Sequence, residues 1–148
     1  MIGDRVRDRR KRPGRCLGVD FGLARVGLAV SDPERVIASP VKAAATDDAL
    51  MRIKSLVDER GVTEIVVGVP LHMDGSMSPM GEEAIAFVAQ LRSVVDVPVV
   101  TADERLSTVE AERVLNEVDS TSQRRQRVKG RVDSAAAAII LQTYLDGG

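Results

Sequence analysis

The sequence predicts an α/β domain built on a mixed five-stranded sheet, in the order 3-2-1-4-5, flanked by helices. Three observations carry this expectation. Two apolar runs, at 15–21 and 25–31, are separated by a three-residue Gly22-Leu23-Ala24 connection, as in an antiparallel hairpin. Two further apolar runs, at 64–69 and 97–101, each follow a segment with helical periodicity, as buried parallel strands do. The full order reads β-β-β-α-β-α-β-α-α, with no internal repeat and no domain-scale linker.

The bulk properties fit one such domain. The chain has 148 residues, of which 44% are hydrophobic and 29% charged, ordinary values for a globular protein. With two Phe, one Tyr and no Trp, the core is built from Val, Ile, Leu and Ala. The same scarcity argues against a platform on which bases stack. No apolar run approaches the roughly 18 residues that a membrane span needs. The basic N-terminus lacks the apolar stretch of a secretory signal. The lone Cys16 excludes an internal disulfide and reads as a buried strand thiol, consistent with a cytoplasmic protein.

Net charge is −1, but residues 1–15 hold seven basic groups against Asp4 and Asp8, so the remainder is acidic. Residues 1–14 read as a basic, disordered arm closed by Pro13-Gly14, and 15–148 as the folded domain. A basic arm on an acidic body suits contact with a polyanion, and suits a solvated tail equally.

In chain order, Gly22 supplies the hairpin with access to a positive φ. Asp32-Pro33-Glu34 makes a turn, and 35–38 a short third strand. Thr46 caps a helix whose first turn carries Asp47 and Asp48 and whose apolar face is Ala49, Leu50, Ile53, Leu56 and Val57. Gly61 stops it. Pro70 ends the fourth strand. Pro79 starts a second helix lined by Ile85, Val88, Leu91 and Val95. Ser107-x-x-Glu110 is a capping box opening a third helix to about residue 118. Residues 119–131 read as a mobile polar loop, and Asp133 as the start of an Ala-rich final helix.

Ligands of such sheets gather outside the carboxyl ends of the parallel strands. There the sequence places Asp20, at the end of the first strand, and Glu104, after the fifth, with Asp133 opening the last helix. Three acids at element ends suit a divalent ion, since Mg²⁺ prefers oxygen ligands. Each acid also has a plain structural reading: a turn cap for Asp20, a surface ion pair for Glu104, a helix N-cap for Asp133. The first and fifth strands lie two spacings apart, about 10 Å, so Glu104 has to lean inward, and the small Gly68 between them leaves room. Arg124, Arg125, Arg127, Lys129 and Arg131 precede Asp133 without an intervening acid and suit phosphate contacts, or a solvated loop. The lone His72 reads as incidental.

Four blocks then coincide with one known pattern. Asp20-x-Gly22-x-x-Arg25-x-Gly27-x-Ala29 resembles the opening signature of the YqgF (RuvX) family. Val67-Gly68-x-Pro70 with Asp74-Gly75 resembles its second block, where an Asn often stands in place of Asp74. Asp103-Glu104-Arg105-Leu106-Ser107-Thr108 resembles its third, and Lys129-x-x-Val132-Asp133-x-x-Ala136-Ala137 its fourth. The resemblance covers about residues 15–145. It implies a ribonuclease H-like fold related to Holliday junction resolvases, and a cytoplasmic bacterial nuclease that processes the 5′ end of pre-16S rRNA. It also implies that Asp20, Glu104 and Asp133 hold Mg²⁺ or Mn²⁺. The resulting expectation is a phosphodiester hydrolase in which one ion activates water and a second stabilises the leaving oxygen. Arg25, Arg105 and the 124–131 cluster then position nucleic acid. Two other classes stay open. One is junction resolution by a homodimer, or binding to assembling ribosomes without hydrolysis. The other is nucleotide binding, as in two-domain sugar kinases that share this sheet.

Overall fold

The computed structural model describes residues 14–105 and 122–147, without the side chains of 122–133. The arm at 1–13 and the expected helix at 107–118 lie outside the described residues.

The sheet is as expected. Strands β1 (Arg15–Asp20), β2 (Arg25–Ser31), β3 (Ala38–Ala45), β4 (Val62–Val69) and β5 (Val99–Asp103) take the order β3-β2-β1-β4-β5. β2 runs antiparallel to its neighbours β1 and β3, and β4 and β5 run parallel to β1. Helices α1 (Ala49–Arg60) and α2 (Pro79–Arg92) cover one face, and α3 (Ser122–Leu145) the other.

Alternation sorts the side chains. Leu17, Val19, Val26, Leu28, Ile65 and Val67 pack under α1 and α2 with Ile53, Leu56, Phe87 and Leu91. Cys16, Ala29 and Val66 pack under α3 with Ala137, Ile140, Leu141 and Tyr144. Cys16 is the buried thiol the sequence implied.

Several boundaries differ from expectation, each for a local reason. The third strand begins at Ala38, not Arg35, because Asp32 wraps the preceding turn. Its carboxylate accepts from the backbone N–H of Glu34 (3.1 Å), Val36 (2.9 Å) and Ile37 (2.7 Å). The Ile37 bond, foremost among these, holds the Asp32 carboxyl below its ordinary pKa. Arg35 sits in that turn at φ 59°, only 1% exposed. Its guanidinium reaches Glu64 (2.6 Å), Thr63 Oγ1 (2.7 Å) and the Gly14 carbonyl (3.0 Å). Tyr144 Oη donates to the other Glu64 oxygen at 2.8 Å. This network ties the amino ends of β1 and β4 to the end of α3.

Thr46 does not cap α1. Its hydroxyl donates to the Gly22 carbonyl (2.7 Å), and a 3₁₀ turn at Thr46–Asp48 leads into the helix. Gly61 ends α1 in the left-handed conformation, φ 66°. On α2, Ile85 is 42% exposed and Phe87 takes the core position, its ring 5.0 Å from that of Phe21.

The largest correction concerns the end of the chain. Residues 122–131, expected as a loop, are the first turns of α3, and Asp133 lies within that helix instead of capping it. Gln, Arg and Lys are good helix formers, so high polarity alone did not mark a break.

Candidate active site

The carboxyl ends of β1, β4 and β5 bring two of the expected acids together. On β1 the residues facing α3 are Cys16, Gly18 and Asp20, and on β4 they are Val66 and Gly68. On β5 they are Val100 and Ala102, so Glu104 continues that row. Asp20 pairs in register with Gly68, and Gly68 with Ala102. Glu104 stays attached to β4 through its N–H, which donates to the Val69 carbonyl at 3.2 Å. The Asp20 and Glu104 side chains interact there. The two acids therefore meet across the intervening strand.

Gly68 makes that meeting possible. A Cβ there would lie 2.6 Å from Ile140 Cδ1 and 3.5 Å from Glu104 Oε2. Gly68→Val is expected to cost about 1–3 kcal/mol through overpacking and to push Glu104 away from Asp20. Urea unfolding reads the first effect and loss of cleavage the second.

Gly22 has a different role from the one expected. It does not take a positive φ. A Cβ at Gly22 would stand 2.5 Å from the Arg25 carbonyl oxygen, so the turn needs hydrogen there for close backbone approach.

Burial pushes the Glu104 carboxyl above its ordinary pKa, while the interaction with Asp20 acts in the opposite direction. Two neighbouring carboxyls suit a cation that offsets their mutual repulsion. The side chain of Asp133 lies outside the described residues, but the helix direction is clear. Ala137 and Leu141 lie against Gly18, and Tyr144 reaches Glu64 near the opposite end of the sheet. Residue 133, one turn before Ala137, is therefore at the helix end directed towards Asp20. Among the described residues, no group of three His, Cys, Asp or Glu is placed to hold a metal.

Of the expected phosphate contacts, Arg25 is exposed and stands two residues before Gly27, the register partner of Asp20. The side chains of Arg124, Arg125, Arg127, Lys129 and Arg131 lie outside the described residues. Arg105 is engaged within the protein. Its Nε and Nη2 donate to Asp103 Oδ2 at 2.9 and 2.5 Å, and its Nη1 to the Met73 carbonyl at 3.1 Å. The Arg105 hydrogen bonds hold the Asp103 carboxyl below its ordinary pKa, and Asp103 raises that of Arg105 in return.

Met73 belongs to a small hairpin between β4 and α2. His72 N–H donates to the Ser76 carbonyl (2.9 Å), and Leu71 bridges Met77. Asp74 accepts from the Ser76 hydroxyl and N–H (2.6 and 2.9 Å), which lowers its pKa, the hydroxyl bond contributing most. His72 is exposed on this hairpin. The Asp103 partnership escaped the sequence reading. Its signal was there: an Asp at the end of a strand often accepts the backbone N–H two residues on, and here that residue is an arginine.

The model of the RuvX Holliday junction resolvase family matches residues 14–147. The chain belongs to this family. Relatives carrying the name "Putative pre-16S rRNA nuclease" agree. One from Roseiflexus sp. (strain RS-1) is 43% identical over 137 residues, covering 90% of this chain and 95% of that protein. One from Halothermothrix orenii is 44% identical, covering 89% and 94%. One from Cereibacter sphaeroides (strain KD131 / KCTC 12085) is 43% identical and covers 99% of this chain and 93% of its own length. That alignment therefore extends into the basic arm.

Among solved structures, the RuvX chain resembles T. thermophilus RuvC in complex with a Holliday junction substrate, with a TM-score of 0.53 at 14% identity. The match covers 89% of this chain and 93% of that one. A second Thermus thermophilus RuvC structure gives 0.51 at 12% identity, covering 90% and 97%. At these identities the likeness is one of fold, and it bears out the ribonuclease H-like sheet. No described helix is long and apolar enough to cross a membrane.

Proposed function

We propose that this RuvX-family chain is a divalent-metal-dependent nuclease that hydrolyses phosphodiester bonds in 5′-end processing of precursor 16S rRNA, in the cytoplasm. The observation that carries the reading is the Asp20–Glu104 carboxyl pair, joined over Gly68 at the carboxyl edge of the sheet. The names of the relatives supply the substrate.

Asp20, Glu104 and Asp133 fit as ligands of Mg²⁺ or Mn²⁺, because crowded carboxyls at a strand edge offer hard oxygen donors whose mutual repulsion a cation relieves. The bound ion would polarise the phosphodiester and acidify a water. The protein supplies the rest. Asp20 comes from a central strand, so its position is fixed by the sheet. Glu104 approaches from the far side of Gly68 and defines the width of the site. Arg25, exposed at the start of β2, neutralises and orients the phosphate. The basic first turns of α3 extend that track along the nucleic-acid backbone.

The test is cleavage of a 5′-extended 16S precursor fragment, with a four-way DNA junction alongside, in Mg²⁺, in Mn²⁺ and in chelator. The precursor is expected to be cut only with the ion. Binding that weakens steeply with salt, without turnover on either substrate, would overturn the nuclease reading in favour of an assembly factor. The family description and the RuvC-like fold favour junction resolution as the second reading. That activity needs two sites, so cutting of the junction by a sedimenting homodimer selects it.

A further inference from the structure

We propose that Asp103 and Arg105 form a clamp that positions Glu104, and that Arg105 serves this clamp instead of contacting phosphate. Glu104 is the residue between them. The Asp103 carboxylate accepts from the backbone N–H of Arg105 at 3.0 Å, which closes residues 103–105 into a tight turn with Glu104 at its centre. The same carboxylate receives Nε and Nη2 of Arg105 (2.9 and 2.5 Å). The remaining arm of the guanidinium crosses to the 71–77 hairpin and donates to the Met73 carbonyl at 3.1 Å. That hairpin leaves β4 only three residues after Gly68, over which Glu104 meets Asp20.

Two anchors thus fix the backbone on either side of the acid. One is the Glu104 N–H on Val69. The other is the fork of Arg105, which joins Asp103 to the hairpin. A planar fork makes these bonds together, and a lysine ammonium does not match them. The hairpin carries its own turn, with Gly75 N–H on the His72 carbonyl (2.8 Å) and Ser76 N–H on Asp74 (2.9 Å). Met73 lies inside that turn, so loss of the Arg105 bond to its carbonyl lets the turn open more often. Arg105 and Asp103 are 34% and 37% exposed, so changing them leaves the core intact.

The kinetic consequence rests on the nuclease reading; the structural consequence does not, and the experiment has an arm for each. Hydrogen exchange on the full chain, wild type against Asp103→Ala and Arg105→Lys, is expected to quicken at the Gly75 and Ser76 amides in both variants, with β1 and β4 unchanged. Unaltered exchange at those amides would overturn the clamp, whatever the chain cleaves. In cleavage assays both variants are expected to lose about 10- to 100-fold in kcat, the cost of a misplaced catalytic group, at constant KM. The double variant is expected to be no worse than the poorer single one, as partners in one interaction behave.

Salt titration of binding separates the alternative. As a phosphate contact, Arg105→Gln would flatten the log–log salt slope by about one unit, Arg105→Lys would behave as wild type, and Asp103→Ala would be silent. That pattern would also overturn the clamp. Accelerated exchange in a chain whose wild type cuts no substrate would leave the clamp standing and remove the nuclease reading alone.

Discussion

Asp20→Asn is expected to abolish metal-dependent cleavage, by at least about 10³-fold, the upper range for losing one preorganised electrostatic partner. The expectation follows from where Asp20 sits. It ends the central strand β1, paired on one side to Gly27 of β2 and on the other to Gly68 of β4. No neighbouring acid on the sheet can move into its place, because the flanking positions on that face are glycines. The amide keeps the size and one oxygen but loses the charge that a cation needs. Folding is expected to survive. The substituted amide can still hydrogen-bond Glu104, and the melting temperature should stay within about 4 °C of wild type, or ~1 kcal/mol for a chain of this length. Nucleic-acid binding in chelator, which depends on Arg25 and the basic turns of α3, should persist with the same salt slope. Wild-type and variant protein purified in parallel, assayed on the precursor fragment, give the answer. Equal cleavage by the two would sink the proposed site.

The contrast between Asp20 and Arg35 shows what was legible beforehand. Asp20 and Glu104 were readable because each stands at the end of an apolar run, and the strand order then placed them on one edge. The gap at Gly68 was readable from the same order. Arg35 sits in a turn next to Asp32-Pro33-Glu34, where a charged residue ordinarily means solvent. Its burial depends on Glu64 and Tyr144, 29 and 80 residues from their respective partners, and no local period announces such a pairing. The clamp on Glu104 was half-legible: the Asp-x-Arg spacing after a strand suits a turn closed by the Asp side chain, but its anchor on Met73 is a backbone carbonyl, invisible in a side-chain pattern. The start of α3 was missed because Gln, Arg and Lys are at home in both loops and helices. Moving that start back to Ser122 removed the capping explanation for Asp133 and left its place along the helix, one turn before Ala137, as the informative fact.

Divalent cations are expected to stabilise the protein strongly at pH 8 and weakly at pH 5. The sign follows from Glu104. Its carboxyl is pushed above the ordinary glutamate pKa by burial, so the folded state holds the proton more tightly than the unfolded chain. The stability from this group is full below the unfolded-state value and falls away as pH rises through the folded-state value. Above that value, without an ion, the deprotonated Asp20–Glu104 pair therefore opposes folding. An ion bound there removes the repulsion and adds its own binding free energy. At 100 times its dissociation constant that is about 2.7 kcal/mol, or roughly 5–11 °C in melting temperature for a chain of this size. Towards pH 5 the ion competes increasingly with protons for the carboxylates, so the shift shrinks. Asp32, Asp74 and Asp103 have lowered pKa values and lose their contributions as pH falls, which opposes the Glu104 trend in the ion-free protein. The informative quantity is therefore the difference between melts with Mg²⁺ and with chelator at each pH, not the melt itself. Glu104→Gln supplies the control. It removes the titrating carboxyl, so its ion-free stability should rise relative to wild type at pH 8 and its response to Mg²⁺ should fall. A Mg²⁺ shift of equal size at pH 5 and pH 8, or one undiminished in Glu104→Gln, would place the ion elsewhere and detach the carboxyl pair from the chemistry.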